Sequence, residues 1–444
     1  MKIYNTYTSS LEDFVPIKKN QVSIYVCGPT VYNYIHIGNA RPVVFFDTVR
    51  RYFEYKGYTV KFASNFTDVD DKIINKAIEE NLTELEVTRF YINSFLTDLK
   101  NLGCFTDYIQ PKVTEYMSKI ISYIDELVRL GYAYSIQGDV YFRVSKIDEY
   151  GHLSNRKLDD LISGARVDVN PLKESPLDFT LWKKTDEGIA WDSTYSKGRP
   201  GWHTECVAMI DDIFGGEIDI HGGGSDLLFP HHENEIAQSM ATHNNNIAHF
   251  WMHNGRLNME GEKMSKSLGN SLFVKDLPGN KMAFRLFLLS TYYRSPINFN
   301  MDSLEAVEKD YIKLENTVTS LYRHLDLNNE LSETTVENEE ILGMLNRFND
   351  AFEQDFNTPN AITELQAMVK SINVLMRQNS DFSLLNQALK VVLSMTGILG
   401  FDFHLEPLSS EDKSLFTLWN EARKNKDFKL ADHYRGILQE KGKI

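Results

Sequence analysis

Side chains that bind metals occur in this sequence at positions far apart along the chain. Cys27 and Cys206 are widely separated, and the segment 230–235 reads Pro-His-His-Glu-Asn-Glu. His231 and Glu235 are four positions apart, so both can point from one face if the segment is helical. Two thiolates, an imidazole and a carboxylate are sufficient ligands for Zn²⁺. Spacing alone does not choose between the histidines or the glutamates, and two buried structural cysteines are the simpler alternative.

Two further segments carry groups suited to polyphosphate. Residues 36–39, His-Ile-Gly-Asn, stand where a strand is predicted to lead into a helix, and helix N-termini favour phosphate. Residues 263–267, Lys-Met-Ser-Lys-Ser, carry two lysines that can stabilise charge on phosphates during group transfer. Taken singly, each segment also has a simpler interpretation, as a loop glycine beside a histidine or as a solvated basic loop.

Composition indicates an ordinary globular protein of several domains. The 444 residues are 42% hydrophobic and 25% charged, which excludes disordered, fibrous and membrane classes. No run approaches the roughly 20 apolar residues that a membrane span requires. The first residues, Met1 to Tyr4, lack an apolar signal region behind a basic flank. We therefore expect a cytoplasmic protein with no membrane partner.

Cysteine content and net charge further restrict the class of protein. Cys27, Cys104 and Cys206 are too few for a disulfide scaffold and suit a reducing compartment. We interpret Cys104, which lies outside the segments above, as a core thiol. The net charge of −15 argues against non-specific coating of nucleic acid. A specific nucleic-acid partner is still allowed, because phosphate contacts depend on where basic residues cluster.

The first part of the chain, which must position these groups, is predicted to alternate between strands and helices. Val22–Val26 predicts a strand, Asn39–Tyr55 a helix, and Tyr58–Phe66 a second strand. A polar turn at residues 67–71 leads into another helix. This order predicts an α/β domain with a doubly wound parallel sheet, which binds nucleotides at the carboxyl ends of its strands.

The middle and the end of the chain follow other patterns. Val113–Leu130 predicts a helix, and Tyr132–Val144 predicts a hairpin that turns at Gln137-Gly138. After Met301 the pattern is helical, with an apolar stripe at Val307, Tyr311, Leu314, Val318, Leu321 and Leu325. Further helices are predicted at residues 339–352, 359–376 and 384–399, which together suggest an antiparallel bundle.

The order of the two phosphate segments resembles the HIGH and KMSKS motifs of class I aminoacyl-tRNA synthetases. The lysine motif matches at all five positions, whereas Asn39 stands where many class I enzymes have histidine. Residues 202–206, Trp-His-Thr-Glu-Cys, and 221–235 resemble the zinc and substrate segments of cysteinyl-tRNA synthetases. The resemblance implies a Rossmann-type catalytic domain with an inserted connective domain, then a helical bundle and a small C-terminal domain. The domains expected are 1–112 and 198–300 for the two catalytic halves, 113–197 for the insertion, 301–400 for the bundle and 401–444 for an anticodon-binding region.

The resemblance also implies roles for individual residues. The implied zinc ligands are Cys27, Cys206, His231 and Glu235, with His232 and Glu233 facing elsewhere. The implied ATP-binding residues are His36, Gly38, Asn39, Asp226, Lys263, Ser265 and Lys266, of which His36, Lys263 and Lys266 are catalytic. The implied amino-acid pocket contains Thr67, Trp202 and His221. For Trp202, Asp226 and His221 the alternatives are a core tryptophan, a turn aspartate and a structural histidine.

The function implied is a two-step ligation. Cysteine and Mg·ATP would give cysteinyl-adenylate, and a hydroxyl of the terminal adenosine of tRNA would then take the cysteinyl group. One zinc ion per chain would select the substrate thiol, and the chain is expected to act as a monomer. A basic C-terminal run could contact tRNA: Arg423, Lys424, Lys426, Lys429, Arg435, Lys441 and Lys443. Two alternatives stay open, a cysteine ligase of mycothiol synthesis and a non-catalytic RNA- or zinc-binding relative.

Overall fold

The computed structural model describes residues 1–156, 171–259, 262–263 (backbone only) and 272–443. These residues divide into two compact units, Met1–Glu308 with Ala351–Pro359, and Lys309–Asp350 with Asn360–Ile444. The side chain of Lys263 and the whole of Ser265 and Lys266 lie outside the described residues, so their predicted roles stay predictions.

A parallel sheet is the centre of the first unit. Its strands are β3 (Gln21–Val26), β4 (Thr59–Ser64), β10 (Ile218–Gly224) and β11 (Ala248–Asn254), and helix α1 (Ile37–Tyr55) connects the first two. Among the described residues the strand order is β11–β10–β3–β4, with every pair parallel. The predicted parallel α/β sheet is therefore confirmed. Because β3 and β10 are neighbours, residues almost 200 positions apart end at the same edge.

Local sequence explains where α1 begins and ends. His36 has extended backbone angles, and its Nδ1 accepts the Asn39 N–H at 3.3 Å, as an N-cap residue does. The chain leaves the helix through Gly57, whose φ of +88° favours glycine. The buried face of α1 includes Phe46 and Phe53. The predicted strand-to-helix junction at His36 is confirmed.

Smaller elements complete the N-terminal part. Their bounds are β1 (Lys2–Asn5), β2 (Ser10–Asp13), α2 (Asp71–Glu80) and α3 (Glu84–Asn101). Strands β1 and β2 form an antiparallel pair. Helix α3 begins at a capping box, in which Thr83 and Glu86 each bind the other's backbone N–H.

An antiparallel sheet interrupts the parallel one. Its elements are α4 (Val113–Arg129), β5 (Ala133–Ile136), β6 (Asp139–Phe142), β7 (Phe179–Lys184), β8 (Trp191–Asp192) and β9 (Lys197–Pro200). The strand order is β5–β6–β7–β9–β8. The predicted hairpin is confirmed: Gln137 and Gly138 both have positive φ, which suits the tight turn between β5 and β6.

The remaining elements of the first unit come after β9 in the chain. They are α5 (Glu205–Phe214), α6 (Glu233–His243), β12 (Leu257–Met259), β13 (Glu262–Lys263), α7 (Lys281–Leu289) and β14 (Ile297–Phe299). Strand β12 pairs with both β13 and β14. Beyond the undescribed segment, the Leu272 carbonyl accepts the Ile37 N–H at 2.9 Å, and the Val274 N–H donates to Ile35 at 3.0 Å. This part of the chain is thus joined to the start of α1.

The second unit is helical. Its helices are α8 (Met301–Leu327, which begins in the first unit), α9 (Glu339–Glu353), α10 (Thr358–Arg377), α11 (Phe382–Leu399), α12 (Ser410–Lys424) and α13 (Phe428–Glu440). Within the predicted stripe of α8, Val307 is half-buried and the other members are buried. Helix α11 is long and apolar enough to cross a membrane, but 61% of it is buried in the protein. A core helix of a globular unit passes the same test.

A carboxylate on α3 gives a testable effect on stability. Asp98 is only 3% exposed, and its Oδ2 has no hydrogen-bond partner among the described residues. Burial raises its pKa to about 6, although Lys281 and Lys275 oppose this. An acid whose pKa is raised on folding destabilises the folded state once ionised, so stability is lost as pH rises from about 4 towards 6.

We therefore expect Asp98→Asn to raise the free energy of unfolding by about 1 kcal/mol at pH 7.5 and to change it little at pH 4. Urea denaturation at both pH values measures this. Asp13→Asn, at an exposed position on β2, is the matched control and should have no pH-dependent effect. Equal effects of Asp98→Asn at both pH values would contradict the explanation.

Candidate metal centre and nucleotide cleft

Four elements bring the predicted metal ligands together. Cys27 directly follows β3, Cys206 lies in the first turn of α5, His231 lies in a turn before α6, and Glu235 lies in the first turn of α6. The Cys27 sulfur lies 3.6 Å from that of Cys206 and 3.5 Å from Glu235 Oε1. His231 Nε2 lies 3.7 Å from the Cys206 sulfur and 2.9 Å from Glu235 Oε1. One ligand atom of each residue falls within 4.8 Å of all the others, so the set suits one tetrahedral ion.

The neighbouring residues of the same segment differ in their surroundings. Glu233 accepts the backbone N–H groups of Gly151 and Ser154, each at 2.9 Å, and so faces away from the cysteines. His232 does not face elsewhere: with Cys27, His221 and Glu235 it forms a second group that could hold a metal. The expectation for Glu233 is therefore confirmed, and that for His232 is wrong. Spacing alone could not show this, because the His232 ring is held by a residue outside its own segment: its Nδ1 lies 2.8 Å from His253 Nε2.

Charges within the cluster are strongly coupled. Burial raises the pKa of Glu235, but His221 and His231 outweigh this and hold it well below its usual range. Burial lowers the pKa of His231, but Glu235 and Cys206 raise it to about 10. The hydrogen bond with Cys27 lowers the pKa of Cys206 to about 7, whereas burial raises that of Cys27. A metal ion that binds here replaces protons on His231 and Cys27, so its affinity falls as pH falls.

A buried polar network connects the two cysteine-bearing elements. Asn65 Oδ1 accepts the Gly28 N–H at 2.9 Å, and Asn65 Nδ2 donates to Thr67 Oγ1 at 3.2 Å. The Thr67 hydroxyl donates to Glu205 Oε2 at 2.9 Å. A Cβ on Gly28 would lie 1.7 Å from the Asn65 carbonyl oxygen, so only glycine allows this approach. Thr67 thus acts within a network rather than as an isolated pocket residue.

Two members of this network, Asn65 and Glu205, were not predicted from the sequence. Glu205 is 2% exposed, and burial together with the adjacent Cys206 raises its pKa well above the usual range. Their positions in the sequence could have indicated both residues. Asn65 directly follows β4, at the sheet edge where ligands bind, and Glu205 precedes a predicted ligand.

Aromatic rings cover the cluster on one side. The Trp202 ring stacks on His231 with centroids 4.2 Å apart, and its side chain is 42% exposed rather than in the core. His203 Nδ1 lies 3.0 Å from His231 Nδ1, which orients that ring from behind. His221 is fully buried, and its ring stacks on Trp251. Its Nε2 lies 2.7 Å from Glu235 Oε2.

A cleft opens beside the cluster at the carboxyl edge of the sheet. Its volume is about 480 Å³. The predicted residues that line it are Cys27, His36, Gly38, Asn39, Trp202 and Asp226. Thr67 and His221 are not among its lining residues. The cleft therefore unites the described ATP-binding candidates with one face of the metal cluster.

The start of α1 gives this cleft a positive end. His36 caps the helix and no acidic residue occupies the first turn, so the helix dipole favours an anion there. Arg256, on the other wall, is exposed. The exposed Asp226 lies at the cleft beyond β10, where its carboxylate can accept hydrogen bonds from hydroxyl groups.

The C-terminal basic run lies on α12, α13 and the turns after them. Arg423, Lys424, Lys426, Lys429 and Arg435 are exposed. Lys441, by contrast, pairs with Glu411 at 2.7 Å and with Asp412 at 3.1 Å, so part of its charge is neutralised within this unit.

Comparison with known proteins gives the family. Residues 13–309 match the family described as tRNA synthetases class I (C) catalytic domain, and residues 347–404 match the DALR domain. The chain is 45% identical over 446 residues to the cysteine–tRNA ligase of Acholeplasma laidlawii, covering 100% of both chains. It is 46% identical to that of Finegoldia magna, covering 100% of this chain and 96% of the relative.

Solved structures with the same fold are more distant in sequence. Mycobacterium tuberculosis methionyl-tRNA synthetase aligns with a TM-score of 0.64 at 14% identity, over 93% of this chain and 96% of that one. A leucyl enzyme of Agrobacterium radiobacter aligns with the same score at 12% identity, over 87% and 85%. At these identities the likeness establishes the fold alone.

Proposed function

Because this chain belongs to the cysteine–tRNA ligase family of class I synthetases, we propose that its four-residue cluster holds the zinc ion that selects cysteine. The chain is a ligase that uses ATP, cysteine and tRNA, as its full-length likeness to curated relatives indicates. The observation that carries the zinc proposal is the convergence of Cys27, Cys206, His231 and Glu235 within 4.8 Å.

These donors fit zinc better than a harder cation. Two sulfurs and an imidazole suit Zn²⁺, whereas Mg²⁺ prefers oxygen ligands. When bound, zinc would supply an open coordination position that favours a thiolate over an alcohol. Contacts with ordinary side chains discriminate poorly between near-isosteres such as cysteine and serine. Trp202, exposed above His231, would close the pocket over the substrate side chain.

The cleft residues supply positioning and charge for activation. The carboxylate of cysteine attacks the α-phosphate of Mg·ATP, which forms cysteinyl-adenylate and releases pyrophosphate. His36 and the N-terminus of α1 would stabilise the phosphates, with Lys263, Ser265 and Lys266 contributed from the lysine motif. Gly38 and Asn39 would line the nucleotide, and Asp226 would bind the ribose hydroxyls. No side-chain nucleophile is required.

The buried residues behind the pocket keep it in shape. Thr67 is held between Asn65 and Glu205, and His221 contacts Glu235. We propose that Thr67 and His221 act on the substrate by orienting these neighbours, since neither lines the cleft. This assigns them a positioning role rather than direct contact.

The second step transfers the cysteinyl group to tRNA. A hydroxyl of the terminal adenosine attacks the mixed anhydride and releases AMP; class I membership favours the 2′-hydroxyl. The helical unit would bind the tRNA, and the exposed basic side chains of α12 and α13 would contact phosphates. We further propose that the protein acts as a monomer in the cytoplasm.

Two rival functions can be weighed against this one. A cysteine ligase of mycothiol synthesis would share the catalytic unit, but this chain aligns with tRNA ligases over its whole length, including the DALR domain. A non-catalytic relative would be free to lose polar groups at the cleft, yet His36, Asn39 and Asp226 line it together. Both observations favour the tRNA ligase.

Cysteine-dependent ATP–pyrophosphate exchange is the test of the proposed function. We expect exchange with cysteine and much less with serine, and we expect chelation of zinc to reduce cysteine exchange by about 100-fold or more. Restoring zinc should restore activity. The same protein should charge tRNA, measured by acid-stable labelled cysteine on purified tRNA. Exchange that persists in zinc-free protein with its cysteine preference intact would contradict the zinc proposal.

A further inference from the structure

A second cavity, separate from the nucleotide cleft, lies at the end of β11 and is lined by two arginines. Its volume is about 520 Å³. Arg256 and Arg294 line it together with the polar side chains of Thr6, Ser225 and Asn258. No described residue that lines it is acidic, although the whole chain carries a net charge of −15. We call this cavity the arginine pocket. Two guanidinium groups in a concave site without a carboxylate favour a phosphate group as the ligand.

Backbone contacts bring the two arginines together from separate segments. The Gly255 N–H donates to the Tyr293 carbonyl at 2.8 Å, and the Ile297 N–H donates to the Arg256 carbonyl at 2.9 Å. A Cβ on Gly255 would lie 2.4 Å from the Ser295 carbonyl oxygen, so glycine allows this close approach. The parallel pairing of β12 with β14 continues the contact. The positions of both arginines are therefore fixed by the fold.

The guanidinium group of Arg294 is oriented by contacts on one side. It lies 3.7 Å from the centroid of the Tyr4 ring. Its Nε and Nη2 donate to the Tyr292 hydroxyl at 3.3 and 3.2 Å, and Nε lies 3.4 Å from Asp355 Oδ2. Asp355 also accepts the Tyr4 N–H and the Tyr293 hydroxyl, so its charge is shared among several donors. Arg294 Nη1 makes no hydrogen bond with any described residue, and 35% of the side chain is exposed. A held group with a free donor is ready to bind an anion.

The arginine pocket borders both parts of the catalytic site. Gly255 and Arg256 line the pocket and the nucleotide cleft, and the exposed Arg256 side chain makes no hydrogen bond or ion pair with a described residue. His253 also lines the pocket, and its Nε2 lies 2.8 Å from Nδ1 of His232, the neighbour of the proposed ligand His231. The pocket is thus adjacent both to the expected nucleotide and to the segment that carries a metal ligand.

We propose that the arginine pocket binds a phosphodiester group of the single-stranded 3′ end of tRNA. This rests on the proposed function, in which a hydroxyl of the terminal adenosine attacks the cysteinyl-adenylate. The phosphates of ATP are expected at the start of α1, inside the cleft, and so do not require this pocket. The tRNA must bring further phosphates to the same place, because the ribose that carries the attacking hydroxyl is itself joined to a phosphate. Guanidinium groups bind phosphate oxygens through strong, charge-assisted hydrogen bonds.

Arg294→Gln separates this contact from the activation step. Cysteine-dependent ATP–pyrophosphate exchange, which needs no tRNA, should stay within about 2-fold of wild type, because Arg294 does not line the nucleotide cleft. Single-turnover transfer of cysteine from preformed adenylate, at tRNA concentrations below saturation, should fall by about 10-fold or more. Arg129→Gln, at an exposed arginine paired with Glu126, is the matched control and should transfer cysteine normally.

Pro296→Glu tests the pocket with both arginines in place. Pro296 is exposed and lines the pocket, so glutamate adds a negative charge there without removing a charged or hydrogen-bonding side chain. We expect slower transfer at low tRNA concentration and unchanged exchange, whereas Pro296→Gln should behave as wild type. This variant keeps the proposal testable if Arg294→Gln fails to fold.

Shortened tRNA locates the phosphate. With full-length tRNA, filter binding should show an affinity about 10-fold lower for Arg294→Gln than for wild type. The slope of log affinity against log salt should be shallower by about 0.7, as expected when one contact with a single-stranded phosphate is lost. With tRNA that lacks its single-stranded 3′ nucleotides, the two proteins should bind equally.

Three results would overturn the proposal. Normal transfer by both Arg294→Gln and Pro296→Glu would leave the pocket without a part in the reaction. Weaker binding of Arg294→Gln to the shortened tRNA would place its contact elsewhere on the tRNA. Equal losses of exchange and transfer would assign Arg294 to the activation step. Failure of the proposed function is a separate result, since wild-type protein would then show no cysteine-dependent exchange.

Discussion

Cys206→Ser is expected to abolish tight zinc binding and to reduce the rate of cysteine activation by at least about 100-fold. This is more than the roughly 10- to 100-fold loss expected when a residue that only hydrogen-bonds to a metal ligand is removed. The cause is direct: Cys206 contributes the sulfur whose pKa is lowered to about 7, and it lies 3.6 Å from Cys27 and 3.7 Å from His231. Serine keeps the size but supplies an alcohol, which is a poor zinc ligand at neutral pH. Free zinc should be buffered at a low concentration, so that only zinc bound tightly by the four-residue cluster is counted.

Steady-state kinetics distinguish a loss of cysteine binding at the metal from a loss of ATP binding in the cleft. The Michaelis constant for cysteine should rise much more than that for ATP, because Cys206 is absent from the residues that line the nucleotide cleft. Cys104→Ser is the matched thiol control: Cys104 is buried against Arg285, outside the metal cluster, and its loss should leave zinc content unchanged. If Cys206→Ser kept both its zinc and its preference for cysteine over serine, Cys206 would not be a ligand of the selecting ion.

The parts of the fold that were predictable from sequence are those set by local rules. The junction at His36, the hairpin turn at Gln137-Gly138 and the apolar stripe of α8 each depend on a few adjacent residues. Short-range preferences for capping, positive φ and helical spacing are sufficient for such features. The convergence of Cys27 with Cys206, by contrast, was suggested only by family resemblance. Its physical cause is the pairing of β3 with β10, which no local pattern encodes.

Features that depend on unpredictable neighbours were missed or misjudged. His232 was expected to face away from the metal, but its ring is held by a distant residue, His253, whose Nε2 lies 2.8 Å from His232 Nδ1. Residues 351–359 were assigned to the helical half, yet they belong to the compact first unit, where Asp355 accepts the Tyr4 N–H at 2.7 Å and the Tyr293 hydroxyl at 3.0 Å. A protein truncated near Asn300 would therefore lose contacts of the catalytic unit itself.

Lys266→Ala is the second substitution expected to have a large effect. We expect the rate of cysteinyl-adenylate formation to fall by about 100- to 1,000-fold, or about 3–4 kcal/mol. Lys266 lies outside the described residues, but its flanks are fixed beside the cleft. The Lys263 backbone pairs with Asn258, and Leu272 accepts the Ile37 N–H at the start of α1. Leu272 therefore lies at the start of α1, which is the expected phosphate site.

The kinetic pattern identifies what the lysine does. A cation that meets phosphates mainly as their charge redistributes lowers the barrier more than it strengthens ground-state binding. The Michaelis constants for ATP and cysteine should therefore change much less than the rate, and zinc content should not change. Lys263→Ala should act in the same direction.

Lys119→Ala, at an exposed lysine paired with Asp212, is the surface control and should leave the rate unaltered. Rapid-quench measurement of adenylate formation gives the rate directly. An unchanged rate with a large rise in the ATP constant would mean that Lys266 anchors ATP in the ground state, and its assignment to the transition state would be wrong.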